Sequence, residues 1–331
     1  MRRRNFIAGL ASTTAALSLA GSAQADSLRR LGVLMSFAAD DPDAKARLAA
    51  FQQELERLGW SQQSNLHIEY RFAAARIDQY VPLAKELVAL KPEVILAQST
   101  QITTALKQEA RGIPIVFTNV SDPIGAGFIT SLARPGGNLT GVLQYEAGIV
   151  GKWLAMLKEI APHLTRIALV GNPKTSGSAF DYFPRSAEVA APPLAIKIVP
   201  TPVESVDADI DHAIESFAAA PNGGLVVPPD STTIVRRELV IALAARYRLP
   251  AVYPFRVFVD AGGLMCYGND EIEPYRLAAS YVDRILHGAK PSELPVQVPT
   301  NYKTVVNLKT AKALGLDVPP SLLVRADEVI E

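Results

Sequence analysis

The sequence is poor in the residues that carry redox and metal chemistry. It has one cysteine in 331 residues, so no disulfide can form within the chain. That residue, Cys266, lies in the apolar stretch GGLMCYG, where a buried small side chain is expected rather than a nucleophile or metal ligand. The four histidines are scattered, and none has a second histidine or a cysteine three or four residues away. We therefore expect them at the surface and expect no metal site. They are His67, His163, His212 and His287.

Neither sign of charge is in excess. Lys and Arg together number 33, and Asp and Glu together also number 33. This balance gives no electrostatic reason to expect a nucleic acid or an anionic membrane as a partner. Hydrophobic residues make up 49% of the chain, so a folded globular protein is expected rather than a disordered one.

The motifs of common enzymes are also missing. The GAG triplet at Gly125–Gly127 lacks the remaining spacing of a dinucleotide fingerprint, and no GxxxxGK[ST] phosphate-binding loop occurs. The stretch TSGSA has the wrong spacing for a nucleophile elbow. Since no nucleophile, base and orienting group come together, we expect neither an enzyme nor a bound cofactor.

The N-terminus has the pattern of an export signal. A basic start, MRRRNF, is followed by an apolar stretch rich in small residues and by Ala23–Gln24–Ala25, a small-residue cleavage site. We therefore expect a signal peptide over residues 1–25 and a periplasmic mature protein. Arg3 and Arg4 before Phe6 fit the twin-arginine signal, and three basic residues fit the general secretory route equally well. No cysteine for a lipid anchor stands near the cleavage site.

The rest of the chain alternates short strand-like runs with amphipathic helical ones. Helical patterns separate four strand candidates: RLGVLMS, LHIEYRF, EVILAQS and IPIVFTN. The same alternation of strands and helices begins again at RIALVGNP. Strand–helix alternation predicts parallel sheets with right-handed crossovers. Because 331 residues exceed what one core usually supports, the prediction is an α/β protein with two doubly wound parallel-sheet lobes.

Ligands of open parallel sheets bind beyond the carboxyl ends of the strands. Ser99 and Thr100 could hold a carboxylate at a helix start, and Asp122 or Asp230 could face an ammonium. Both aspartates are equally good helix N-caps. A capping aspartate can have only this structural role, or it can also line a cleft. The side chains that follow the predicted strands are Ser36, Phe37, Ser99, Thr100, Thr118, Asp122, Asn172, Asp230 and Tyr253.

Four stretches together resemble a known family. They are GVLMSFAADDPDAKARLAAFQQELERLGW, SDPIGAGFITSLARPGGNLTGV, GKWLAMLKEIAP and GGLMCYGND. In their order along the chain they are similar to substrate-binding proteins of ABC transporters, in the subfamily of tryptophan- and tyrosine-type binding proteins. The resemblance covers about residues 28–323.

This resemblance implies the type I periplasmic-binding-protein fold, with three crossings between the lobes and a ligand at their interface. The first lobe would take residues 28–143 plus 265–296, and the second 144–264 plus 297–331. Tyr267 would lie near a crossing and join the candidate ligand-binding residues, although it and Tyr253 could instead be core. Gly136, Gly137 and Gly141 would allow a tight path into the first crossing.

We therefore expect the protein to capture a small organic solute, and the expected ligand is an amino acid or a related carboxylate. Binding would close the hinge between the lobes. The expected partners are an ABC permease and its ATPase subunit, and the expected state is a monomer. Two alternatives stay open: an exported ligand-sensing domain that serves a signalling receptor, and an exported enzyme.

Overall fold

The computed structural model describes residues 28–62, 64–146, 148–176, 179–204 and 207–331. The signal peptide expected over residues 1–25 lies outside these residues. Two α/β lobes, each built on its own sheet, make up the described chain. The fold class predicted from the sequence is therefore confirmed.

The first lobe holds a five-stranded, wholly parallel sheet in the order β2-β1-β3-β4-β5. Apolar side chains cover both faces of this sheet, as expected for parallel strands joined by helices. Its strands are β1 (Arg29–Met35), β2 (Leu66–Phe72), β3 (Val94–Gln98), β4 (Ile115–Val120) and β5 (Leu139–Leu143). Its helices are α1 (Pro42–Arg57), α2 (Tyr80–Ala89) and α3 (Thr100–Glu109), together with α11 (Glu273–Leu286) from later in the chain.

The second lobe holds a seven-stranded sheet in the order β12-β11-β10-β9-β8-β6-β7. It is parallel except where β10 meets β11. Its strands are β6 (Arg166–Gly171), β7 (Lys197–Pro202), β8 (Gly223–Val226), β9 (Ala251–Tyr253), β10 (Met265–Asn269), β11 (Tyr302–Asn307) and β12 (Glu328–Ile330). Its helices are α4 (Ile149–Ile160), α5 (Pro173–Ser176), α6 (Ala179–Ala190), α7 (Asp207–Ala218), α8 (Ser231–Val235), α9 (Arg237–Arg246), α10 (Arg256–Asp260), α12 (Leu308–Leu314) and α13 (Pro320–Arg325).

The chain passes between the lobes three times: between β5 and α4, between β10 and α11, and between Gln297 and β11. The lobe boundaries differ in two places from those expected. Met265–Asn269 belongs to the second sheet, because Met265 and Cys266 pair with Val252 and Tyr253 of β9. Gln297 stays with the first lobe, where its N–H donates to Gly141 O at 2.9 Å.

Cys266 and the histidines lie where the sequence indicates. Cys266 is 2% exposed, and burial raises the pKa of its thiol to about 12, so it is an unreactive core residue. All four histidines are exposed. Within the described residues, no helix is long and apolar enough to cross a membrane.

Two glycines of the segment leading to the first crossing have different environments. Gly141 passes so close to β4 that a Cβ there would lie 2.1 Å from the carbonyl oxygen of Phe117. Gly137 has open space where a Cβ would stand, so the expected need for glycine does not extend to it.

We therefore expect Gly141→Ala to destabilise the protein by about 1–3 kcal/mol, because the added methyl group forces β4 and β5 apart. Gly137→Ala is the matched control and should stay within about 0.5 kcal/mol of the parent. Urea denaturation of both variants measures the difference. Equal stability of the two would contradict the close approach of β5 to β4.

Candidate functional site

A cavity of about 260 Å³ lies between the lobes, at the carboxyl ends of strands from both sheets. The first lobe supplies residues that follow β1, β3, β4 and β5. The second lobe supplies residues that follow β8 and β9. A molecule held here would therefore contact both lobes at once.

The first-lobe wall is built around the start of α3. Ser99 is its N-cap, and its Oγ accepts a long hydrogen bond of 3.5 Å from the N–H of Ile102. Beside it, Gln98 Oε1 accepts hydrogen bonds from the N–H of Ser36 at 3.0 Å and from its hydroxyl at 2.5 Å. These bonds orient the Gln98 amide and fix the end of β1 against the end of β3.

Four residues of this wall have backbones in the left-handed region that favours glycine. They are Ala74, Ala75, Ser99 and Asn119, with φ of +50°, +58°, +85° and +57°. Such conformations cost about 1–3 kcal/mol each and persist where the surroundings enforce them. The N–H groups of Ala74 and Ala75 donate to the carbonyls of Phe37 and Ser36, which holds the loop in place. Strain gathered at one wall of a cleft is typical of a binding site.

Polar side chains of the second-lobe wall form a connected network. Asp230 caps α8, and its Oδ1 accepts the N–H of Thr233 at 3.0 Å. Its Oδ2 accepts a hydrogen bond from the hydroxyl of Thr175, which also lies 3.1 Å from the hydroxyl of Thr232. Behind this wall, the amide of Asn172 donates to Thr232 Oγ1 at 3.0 Å. Asp230 is thus held rigidly at the cavity surface.

A buried ion pair closes the end of the cavity nearest the hinge. Arg47 of α1 is 4% exposed and pairs with Glu271, which stands in the crossing between β10 and α11. Its guanidinium lies 4.6 Å from the centre of the Phe37 ring. Burial raises the pKa of the Glu271 carboxyl, and Arg47 acts against that rise.

Five of the ten residues predicted from the sequence line this cavity, and five do not. Ser36, Phe37, Ser99, Thr100 and Asp230 line it. Those outside its lining are Thr118, Asp122, Asn172, Tyr253 and Tyr267.

Each residue outside the lining has another place in the fold. Thr118 is fully buried in β4, where its carbonyl accepts the N–H of Ser99 at 3.0 Å. Asp122 accepts the N–H of Gly125 at 2.8 Å and lies 3.8 Å from Arg185 of the other lobe.

The two tyrosines are packed against other rings. Tyr253 is 1% exposed and stacks on Phe258 at 4.9 Å, so it belongs to the second-lobe core. Tyr267 stacks on Tyr302 at 5.4 Å, and its hydroxyl accepts from Lys152 at 3.0 Å. Alternation along a strand does not say which face reaches a cleft, and here neither ring lines the cavity.

The charged end of the cavity is not among the features predicted from the sequence. The sequence nevertheless contains a signal for Arg47. It stands three residues after Ala44, one before Leu48 and four before Phe51, so it lies on the buried apolar face of α1. An arginine on an apolar helix face indicates a buried partner. Other lining residues that were not predicted include Asp41, Asp43, Gln144, Thr175, Arg237 and Glu271.

No group of three or more metal-ligating side chains lies together in the part of the chain that the structure describes. The cavity instead presents hydroxyls, amides, aromatic rings and a few charges. This combination suits a small organic molecule with a polar head and an apolar body.

Comparison with known proteins gives the family. Residues 34–330 match the family described as ABC transporter substrate binding protein. The chain belongs to this family of substrate-binding proteins. The family resemblance drawn from the four sequence stretches is therefore confirmed.

The chain is also similar to individual proteins. A tyrosine-binding protein of Clostridioides difficile is 25% identical over 88% of this chain and 83% of its own length. A Vibrio cholerae protein of solved structure is 27% identical, with a TM-score of 0.83 over 91% of this chain and 99% of that one. An ABC domain from Streptococcus pneumoniae in complex with L-Trp has a TM-score of 0.80 at 24% identity, over 92% and 100% of the two chains.

The buried pair generates an asymmetric stability prediction. Arg47→Met should lower the free energy of unfolding by about 3–5 kcal/mol at pH 8, because it leaves Glu271 charged and unpaired. The loss should shrink toward pH 5. A carboxyl whose pKa is raised in the folded state takes up a proton at a higher pH in the folded protein than in the unfolded protein. This protonation favours folding below that pKa. The free energy of unfolding of the Glu271→Gln variant should not depend on pH in this way, since the Arg47 that remains stays charged.

Urea midpoints at pH 5 and pH 8 measure these effects. Arg57→Met is the control on the same helix, because Arg57 pairs with Glu54 at the surface, and its urea midpoint should hardly change. If Arg47→Met lost the same stability at both pH values, Glu271 would not be the group that responds.

Proposed function

We propose that the protein is the exported solute-binding component of an ABC importer, which captures a small organic solute and passes it to a permease and its ATPase subunit. The observation that carries the proposal is a cavity with one wall from each lobe of a two-lobed member of this family. We expect the protein to act as a monomer. The basic and apolar N-terminal pattern over residues 1–25 supports export.

Closure of the lobes about the three crossings is the proposed mechanism. A ligand that contacts Ser99 and Thr100 on one wall and Asp230 on the other stabilises the closed state over the open one. Across the cleft, Asp122 and Arg185 add a weak ionic contact between the lobes. No covalent step is needed.

The lining favours an amino-acid-like ligand. The first turn of α3, with Thr100 at its start, offers N–H groups to a carboxylate. Phe37 of one lobe and Phe255 of the other offer rings to an apolar side chain. The tyrosine-binding relative and the L-Trp complex support this class.

A thermal-shift screen of the purified protein, refolded to strip bound ligand, tests binding. The panel holds amino acids, aromatic carboxylates, small sugars, nucleosides and polyamines. A compound at about 100 times its dissociation constant should add roughly 2.7 kcal/mol of stability. We expect one chemical class to raise the melting temperature, and no shift with any compound would contradict the proposal.

Thr100→Val locates the binding site in the same assay. This nearly isosteric change removes a hydroxyl from the cavity wall, so it should reduce the ligand-induced shift and leave the melting temperature of the free protein nearly unchanged. An unaltered shift would place the ligand elsewhere.

Arg185→Ala tests the closure mechanism. The pair with Asp122 is partly exposed, so its loss should weaken binding of the ligand found in the screen by less than about 1 kcal/mol. This loss should shrink as salt is added, because salt screens the pair. Calorimetry at low and high salt measures it. Stronger binding by the variant would contradict a contact that favours closure.

A further inference from the structure

Negative charge is in excess at the hinge end of the cavity. Asp41, Asp43 and Glu271 line this end, and among the residues that the structure describes the one cation beside them in the lining is Arg47. Although burial acts to lower the pKa of the Arg47 guanidinium, the carboxylates of Glu271, Asp43 and Asp41 raise it above its ordinary value. All three carboxylates therefore lie within electrostatic reach of the same guanidinium.

The fold compensates only part of this excess. Asp41 is the N-cap of α1, and its carboxylate accepts the N–H of Ala44 at 2.9 Å. The start of a helix carries roughly half a positive charge. Glu271 pairs with Arg47, whereas Asp43 forms no ion pair with any residue that the structure describes. At least one negative charge is left over beside the cavity.

The opposite wall carries no such excess. Asp230 and Arg237 both line it, one of each sign. Both carboxylate oxygens of Asp230 already accept hydrogen bonds, from the N–H of Thr233 and the hydroxyl of Thr175. The surplus charge is thus confined to the end where Asp43 stands.

An aromatic ring lies at the same end. Phe37 follows β1 and already has the Arg47 guanidinium over its ring, which shows that this ring accepts a cation. A second cation brought here would meet the carboxylate of Asp43 next to an apolar surface. Phe255, from the other lobe, lines the same cavity.

We propose that this site selects ligands that carry an ammonium group, which binds at the Asp43 end, and that it discriminates against carboxylic acids that lack one. A zwitterionic ligand then places its carboxylate at the start of α3 and its ammonium at Asp43. The inference rests on the proposed function and narrows its ligand class. An aromatic amine is a better ligand than the corresponding acid.

A matched set of three probes tests this charge preference. Tryptamine, L-tryptophan and indole-3-propionate share one ring system and differ in their charged groups. We expect indole-3-propionate to bind at least tenfold more weakly than tryptamine, measured by calorimetry. The set tyramine, L-tyrosine and 3-(4-hydroxyphenyl)propionate repeats the comparison with a smaller ring.

Asp43→Asn assigns the effect to one carboxylate. It should weaken tryptamine binding about tenfold and leave indole-3-propionate unchanged or tighter. Asp40→Asn is the matched control, because Asp40 is exposed, lies outside the cavity lining and changes the net charge equally.

Three results would overturn the inference. They are equal binding of amine and acid, equal effects of the two substitutions, and no binding by any member of either set. In each case the solute-binding proposal is judged separately, by whether another class in the thermal-shift panel binds.

Discussion

The arrangement of the site depends on the buried ion pair between Arg47 and Glu271. A guanidinium on the apolar face of α1 is unfavourable unless a carboxylate stays beside it. That carboxylate comes from the crossing between β10 and α11, so the pair ties a first-lobe helix to the hinge. The same guanidinium lies over Phe37 and forms part of the cavity wall. Helix α1, the hinge and the cavity wall therefore share one interaction.

Backbone hydrogen bonds hold the strained residues of the first-lobe wall in place. Ala74 and Ala75 keep their left-handed conformations because their N–H groups donate to the carbonyls beyond β1. Ser99 keeps its own because its N–H donates to the carbonyl oxygen of Thr118 in β4. The strain is thus distributed over a rigid sheet edge, which leaves the polar groups positioned before a ligand arrives.

The sequence predicts the two-lobed fold well, because alternating strands and helices are local patterns, and this alternation produces parallel strands joined by right-handed crossovers. It predicts the lobe limits less well. Met265–Asn269 reads as a strand, but the sheet it joins is set by its pairing with β9 and with β11, and β11 follows only after helix α11. Half of the predicted site residues line the cavity, since the end of a strand is visible in sequence and the direction of a side chain such as Tyr253 is not. Arg47 shows the converse, because its position on the apolar face of α1 is visible in the sequence even though its partner Glu271 is not.

The two ends of the cavity differ in polarity, and this difference has a structural origin in both helices that begin there. The start of α3 presents N–H groups with only a long side-chain cap at Ser99, so it keeps its attraction for an anion. The start of α1 is capped by Asp41 and has the carboxylates of Asp43 and Glu271 nearby, and these negative charges oppose the positive end of its dipole. Two helix N-termini of similar intrinsic polarity thereby become an anion-attracting and a cation-attracting end of one cavity. A dipolar ligand in such a cavity has a preferred orientation that shape alone would not impose.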